Sequence, residues 1–171
     1  MFTFTNMSPT LIFGLTSLGV VHTVISLVAV ATGAIALIRD GKISWDNSTG
    51  KIYVIATIIV CLTGFGIFQH GGFGKAHALG IITLLTLGVV WAASNGSFGK
   101  SSRYIERVGY SLTFFFHIVP AVTESATRLP LSAPLASSPE DPRIQMAIGI
   151  CFVLFLIGAV LQVRKMRTQA A

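Results

Sequence analysis

Four histidines and one glutamate sit in or beside long apolar runs of this 171-residue chain: His22, His70, His77, His117 and Glu124. Imidazole and carboxylate together are ligands for zinc, copper or iron, and histidines at matched depth on facing helices can bracket a haem. An ionisable group inside a membrane-length apolar segment is costly and faces protein or a wet cavity, so a functional reading comes first. The expected metal set is His22, His70, His77 and Glu124. The expected haem ligands are His22 and His77, with His117 as the alternate.

Each of these residues also has a plain structural reading. His22 and His117 can hydrogen-bond a neighbouring hydroxyl or carbonyl, and His70 and His77 can anchor helix ends at an interface. Glu124 stands four residues before Arg128, the favourable acid-before-base spacing of a helical ion pair. Pro120 lacks a backbone donor, which frees the carbonyl of Phe116 and bends the helix beside His117.

No familiar soluble site competes with this reading. HExxH, GxSxG and CxxC are absent, and GGFGKAH lacks both the glycine spacing and the Ser or Thr of a phosphate loop. No catalytic residue is assigned.

The elements that must hold these side chains follow from composition. Hydrophobic residues make up 53% of the chain, charged residues only 11%, and the mean hydropathy is +0.77. A soluble domain does not have this balance. Apolar runs near the roughly 20 residues that cross a bilayer occur near 11–38, 52–69, 76–94, 108–127 and 144–163. The expected fold is therefore all-α, a single integral membrane bundle of five transmembrane helices with no separate soluble domain. The first run has no positive residue before it and exceeds the core length of a secretory signal, so it is expected to remain as a span. Cys61 and Cys151 fall within runs and behave as small apolar residues, with no disulfide framework.

The net charge of +6 resolves by position. Arg39, Lys42 and Lys51 separate the first two runs, Lys100, Arg103 and Arg107 the third and fourth, and Arg164, Lys165 and Arg167 follow the fifth. The other side keeps Lys75, Arg128 and Arg143. The positive-inside bias then puts the N-terminus outside and the C-terminus in the cytoplasm of a bacterial inner (plasma) membrane. The basic excess points to anionic lipid at the cytoplasmic face and away from nucleic acid. Counting about 1.5 Å per residue from Arg39 and Arg107, His22 and Glu124 each stand roughly 25 Å above the inner boundary, and His117 about 10 Å deeper.

The long connection after Arg128 carries four prolines and closes on Asp141 and Pro142, an N-cap followed by a proline at the first helical position. Gly14, Gly19, Gly64, Gly66, Gly80, Gly149 and Gly158 are expected at close helix contacts. His22 with Gly33 and His77 with Gly88 share one spacing, each followed by a basic loop and a span with Tyr53 or Tyr110 near its start. That pattern suggests two copies of one hairpin.

His22, Gly33, the run Arg39, Asp40, Gly41, Lys42, and Gly50, Lys51, Ile52, Tyr53 resemble a family of predicted bacterial inner-membrane proteins carrying a domain of unknown function. The resemblance runs over helices one to four and implies no activity. A looser likeness, of architecture alone, is to small membrane cytochromes b, and implies haem b held by span histidines. The first expectation is thus a histidine-containing pocket in the outer half of the bundle, binding haem or a transition metal for electron transfer or cofactor handling. The alternatives are a non-catalytic accessory or assembly subunit, with a membrane-protein partner or as a homo-oligomer, and a small proton-linked permease using His117 and Glu124.

Overall fold

The computed structural model describes residues 16–68 and 72–169. The chain is all-helical, with five helices in the order α1 (Ser17–Asp40), α2 (Ser48–Gly64), α3 (Lys75–Ser94), α4 (Ser102–Arg128) and α5 (Pro142–Thr168). A single 3₁₀ turn, Gly99–Ser101, leads into α4. Gly14 and His70, both named above, lie outside the described residues.

Local chemistry sets the ends. Thr16 and Asn47 accept the backbone N–H of Gly19 and Gly50, three residues on, at 3.1 and 2.8 Å, and so start α1 and α2. Asp141 accepts the N–H of Arg143 at 2.9 Å ahead of Pro142, so α5 begins where the sequence places it. Gly41 closes α1 in the left-handed region at φ 66°, a conformation glycine adopts without a Cβ penalty.

Three helices, α1, α3 and α5, are long and apolar enough to cross a membrane. The apolar α2 is shorter, at 17 residues: it begins four residues before the expected start of the second run and ends at Gly64 instead of continuing to residue 69. The more polar α4 is the helix with the most neighbours. It packs on α1, α3 and α5, and a helix enclosed by protein on several sides needs no apolar girdle. Successive contacts of α1 with α2, α2 with α3, α3 with α4 and α4 with α1 close a four-helix ring, and α5 lies outside it against α4.

The ring encloses a core of Ala29, Ala36, Tyr53, Val54, Leu87, Val90 and Tyr110, with Phe114 packed against it. Gly33 lets α1 pack closely against this core. A Cβ there would stand 2.5 Å from the Phe114 ring and 2.9 Å from that of Tyr53. On the α3–α4 side Gly109 leaves the same kind of room for Val90. Gly64, Gly66 and Gly80 also meet neighbouring side chains, namely His22, Leu18 and Phe65. The expectation fails at Gly149 and Gly158, which face open space along the outlying α5. Gly88 is open too, so the Gly33–Gly88 match of the suggested repeat is not a packing equivalence.

The phenylalanine run of α4 divides between two neighbours. Phe114 joins the core, whereas Phe115 meets Phe152 and Phe155 of α5 at centroid distances of 5.4 and 5.7 Å. Gln162 anchors the far end of α5. Its carbonyl accepts the Ser111 hydroxyl at 3.0 Å and its amide donates to the Gly41 carbonyl at 3.0 Å.

Candidate functional site

Three hydroxyl contacts organise the polar interior, and all involve α2. The rings or hydroxyls of His22, Tyr53 and His117 pair with Thr63, Thr113 and Thr57, at 3.0, 2.8 and 2.9 Å. A hydroxyl has one proton. Thr57 donates its own to the Tyr53 carbonyl at 2.8 Å, Thr63 to the Ile59 carbonyl at 2.8 Å, and Thr113 to the Tyr110 carbonyl at 2.8 Å. Each threonine is therefore an acceptor toward its partner. It follows that His117 donates from Nε2, His22 from Nδ1 and Tyr53 from its phenol, which sets the tautomer of both rings.

Two of these contacts form one seam. Tyr53 and Thr57 are one helical turn apart on α2, Thr113 and His117 one turn apart on α4, and both pairs are separated by 60 positions in the chain. A constant offset means that α2 and α4 run parallel, as helices on opposite sides of an alternating ring must. All four residues are buried, with Thr57 and Thr113 at 0% exposure and His117 at 6%. The His117 ring also meets Tyr53 edge-on, at 5.9 Å between centroids.

His22 is half-buried at the α1–α2 contact. Its electrostatic neighbours include Glu124 and the Val60 carbonyl, and it lies close enough to His117 for the two rings to sense one another's charge. Glu124 forms the ion pair with Arg128 that its spacing suggested. His77 takes a different role. It sits in the first turn of α3, where its Nδ1 accepts the Gly74 N–H at 3.2 Å, and its ring stacks on Phe68 and Phe73 at 5.0 and 5.2 Å. Its Nε2 is buried and has no hydrogen-bond partner among the described residues.

Among the described residues, no three His, Cys, Asp or Glu side chains come together as a metal site requires. The donor groups of the expected set of His22, His77 and Glu124 are instead engaged separately: His22 with Thr63, His77 as a helix cap, Glu124 with Arg128. The half-buried His22 and the buried His117 each donate one ring proton to a threonine. Sequence reasoning overlooked Tyr53, Thr57, Thr63 and Thr113 as the partners. The signal was present as two polar pairs at i, i+4, Tyr53 with Thr57 and Thr113 with His117, at one offset in two apolar helices.

Such a fold and interior define an all-helical chain in which Tyr53, Thr57, Thr113 and His117 pair across helices through buried polar groups. Compared with known proteins, it matches no family model, no curated protein and no solved structure.

Proposed function

We propose that the chain is a five-span integral protein of a bacterial inner membrane, N-terminus outside and C-terminus cytoplasmic, serving as a non-catalytic accessory or assembly subunit. The observation that carries this reading is the seam Tyr53–Thr113 and Thr57–His117, where intramembrane polar groups serve helix contact. Interhelical hydrogen bonds of this kind hold membrane helices together where lipid and side chain are equally apolar. The orientation is supported by the charge distribution: Gln162 of α5 meets Gly41 after α1, so the basic residues 39–51, 100–107 and 164–167 gather at one end. Anionic lipid at that face is the natural counter-surface. The test is purification in mild detergent from its native host. A stoichiometric membrane-protein partner supports the reading, and a chain that purifies alone from every detergent tested refutes it.

One observation favours a second reading, a haem or transition-metal site near the start of α3. The Nε2 of His77 is buried, unpartnered among the described residues and flanked by two aromatic rings, and its Nδ1 is held by a backbone donor that fixes the ring's orientation. A Soret band or stoichiometric metal in the purified protein, lost in His77→Ala, is required by this reading. A colourless, metal-free preparation removes it.

A further inference from the structure

At the basic end, below the seam, a cleft of about 240 Å³ opens between the α1–α2 connection, the start of α4 and the end of α5. Five charged side chains line it: Lys42, Arg103 and Arg107 on the cationic side, Asp46 and Glu106 on the anionic side. The other four carboxylates of the chain are each in an ion pair, Asp40 with Arg39, Glu124 with Arg128, Glu140 with Lys75 and Asp141 with Arg143. Around the cleft none is: no cation stands within 4.0 Å of a carboxylate among the described residues. Arg103 lies over the adjacent Tyr104 ring, and Asp46 accepts the Ser44 hydroxyl at 2.7 Å. Opposite charges that share a cleft without collapsing onto one another leave both signs open to a ligand.

The size and surroundings of the cleft restrict that ligand. Its volume is below the roughly 300–1,000 Å³ of pockets that enclose whole small molecules, so it suits a polar headgroup rather than a cofactor. Ile43 and Met166 supply an apolar edge beside the outlying α5, whose Leu156, Ile157, Val160 and Leu161 are exposed. Burial, and secondarily the charge of Asp46, hold the Glu106 carboxyl above its ordinary range. Lys42 and Arg107 act in the opposite direction, and an ammonium beside Glu106 would add to theirs by favouring the charged carboxylate.

We propose that this cleft binds the phosphoethanolamine headgroup of a membrane lipid, with Lys42, Arg103 and Arg107 at the phosphate and Asp46 and Glu106 at the ammonium. Arginine and lysine are the natural donors to a phosphate, and a carboxylate pair accepts the three N–H groups of a primary ammonium. The apolar face of α5 receives the acyl chains. The inference rests on the five-span reading, in which this end lies at headgroup level.

The experiment uses the full-length protein, delipidated in mild detergent, with unfolding followed by the fluorescence of Trp45 and Trp91. Phosphatidylethanolamine, phosphatidylglycerol and phosphatidylcholine are added separately at equal mole fraction, alongside soluble phosphoethanolamine and inorganic phosphate. Phosphatidylethanolamine is expected to raise Tm by about 2–4 °C or more. Phosphatidylglycerol, which lacks the cation, and phosphatidylcholine, whose quaternary ammonium has no N–H, should give less than half that shift. Glu106→Gln and Arg107→Gln should each reduce the phosphatidylethanolamine shift to the phosphatidylcholine level. If Arg107→Gln does not fold, Lys42→Gln on the connection takes its place. Equal shifts from all three lipids, or variants that keep the full shift, would overturn the proposal. So would a shift reproduced by inorganic phosphate or by soluble phosphoethanolamine. Headgroup selectivity in detergent does not depend on which leaflet the cleft faces, so a wrong topology is detected separately, by thiol labelling of single-cysteine variants in intact cells.

Discussion

Replacing Thr57 by valine keeps the shape of the side chain and removes one oxygen. In the folded protein that oxygen is the acceptor for Nε2–H of His117, a ring 6% exposed. The variant therefore strands a buried donor, which costs about 1–3 kcal/mol. Interhelical hydrogen bonds measured in membranes average nearer 0.6 kcal/mol, because the unfolded chain also finds partners there. A loss of about 1–2 kcal/mol is expected, seen as a lower midpoint in equilibrium unfolding in mixed detergent micelles. His117→Leu is milder in its polar consequences, since Thr57 still donates to the Tyr53 carbonyl. The informative measurement is the double variant. Once Thr57→Val has stranded the imidazole, removing the imidazole as well should cost less than it does in the parent. The two substitutions should be coupled by at least 0.5 kcal/mol, within the range for residues in direct contact. Additivity to within about 0.3 kcal/mol would mean that the His117–Thr57 contact does not hold α4 to α2, and the seam would lose its place in the proposed function.

Other outcomes follow from single features. Gly33→Val should destabilise the fold by about 1–3 kcal/mol by forcing α1 off Tyr53 and Phe114, while Gly88→Ala and Gly158→Ala, mid-helix and facing open space, should hold the unfolding midpoint or raise it, by up to about 1 kcal/mol each. Gln162→Leu should cost about 1 kcal/mol, through loss of its bonds to Ser111 and Gly41, and make residues 164–167 more sensitive to protease. The Asp141 carboxyl is held down at about 2, first by the Arg143 side chain and then by the Arg143 backbone N–H. A depressed folded value means that its contribution is complete above the unfolded value near 3.8 and fades as pH falls toward 2. An acid titration of Asp141→Asn should therefore match the parent below pH 2 and diverge from it above pH 4.

What could be read without coordinates was local. The Asp141–Pro142 start of α5 and the Glu124–Arg128 pair depend on residues two to four positions apart, and both are found. A helix stands at each of the five apolar runs, but α2 is displaced, α4 begins at Ser102 ahead of its run, and α5 continues to Thr168 beyond its own. Only α1, α3 and α5 are long and apolar enough to cross a membrane. Counting residues along a helix gives height but no azimuth, and each residue turns the side chain by about 100°. For that reason His22, His77 and Glu124 looked like one set at one level, although each is engaged with a different partner. The hydroxyls of Thr57, Thr63 and Thr113 were passed over because threonine is common in apolar helices, usually bonded to its own backbone. Here that backbone bond is what turns each threonine into an acceptor.

The 60-residue offset of the seam also has a meaning in time. Ribosomes add about 5–20 residues per second, so Tyr53 and Thr57 emerge about 3–12 s before Thr113 and His117. During that interval α2, the shortest of the five helices, has only α1 and then α3 beside it, and the Tyr53 phenol has yet to meet its acceptor. Chains arrested before α4 should thus hold α2 loosely, with Lys51 open to protease, and chains arrested after residue 128 should protect it. On this timing, completion of α4 should be the step at which α2 gains its last hydrogen-bond partners.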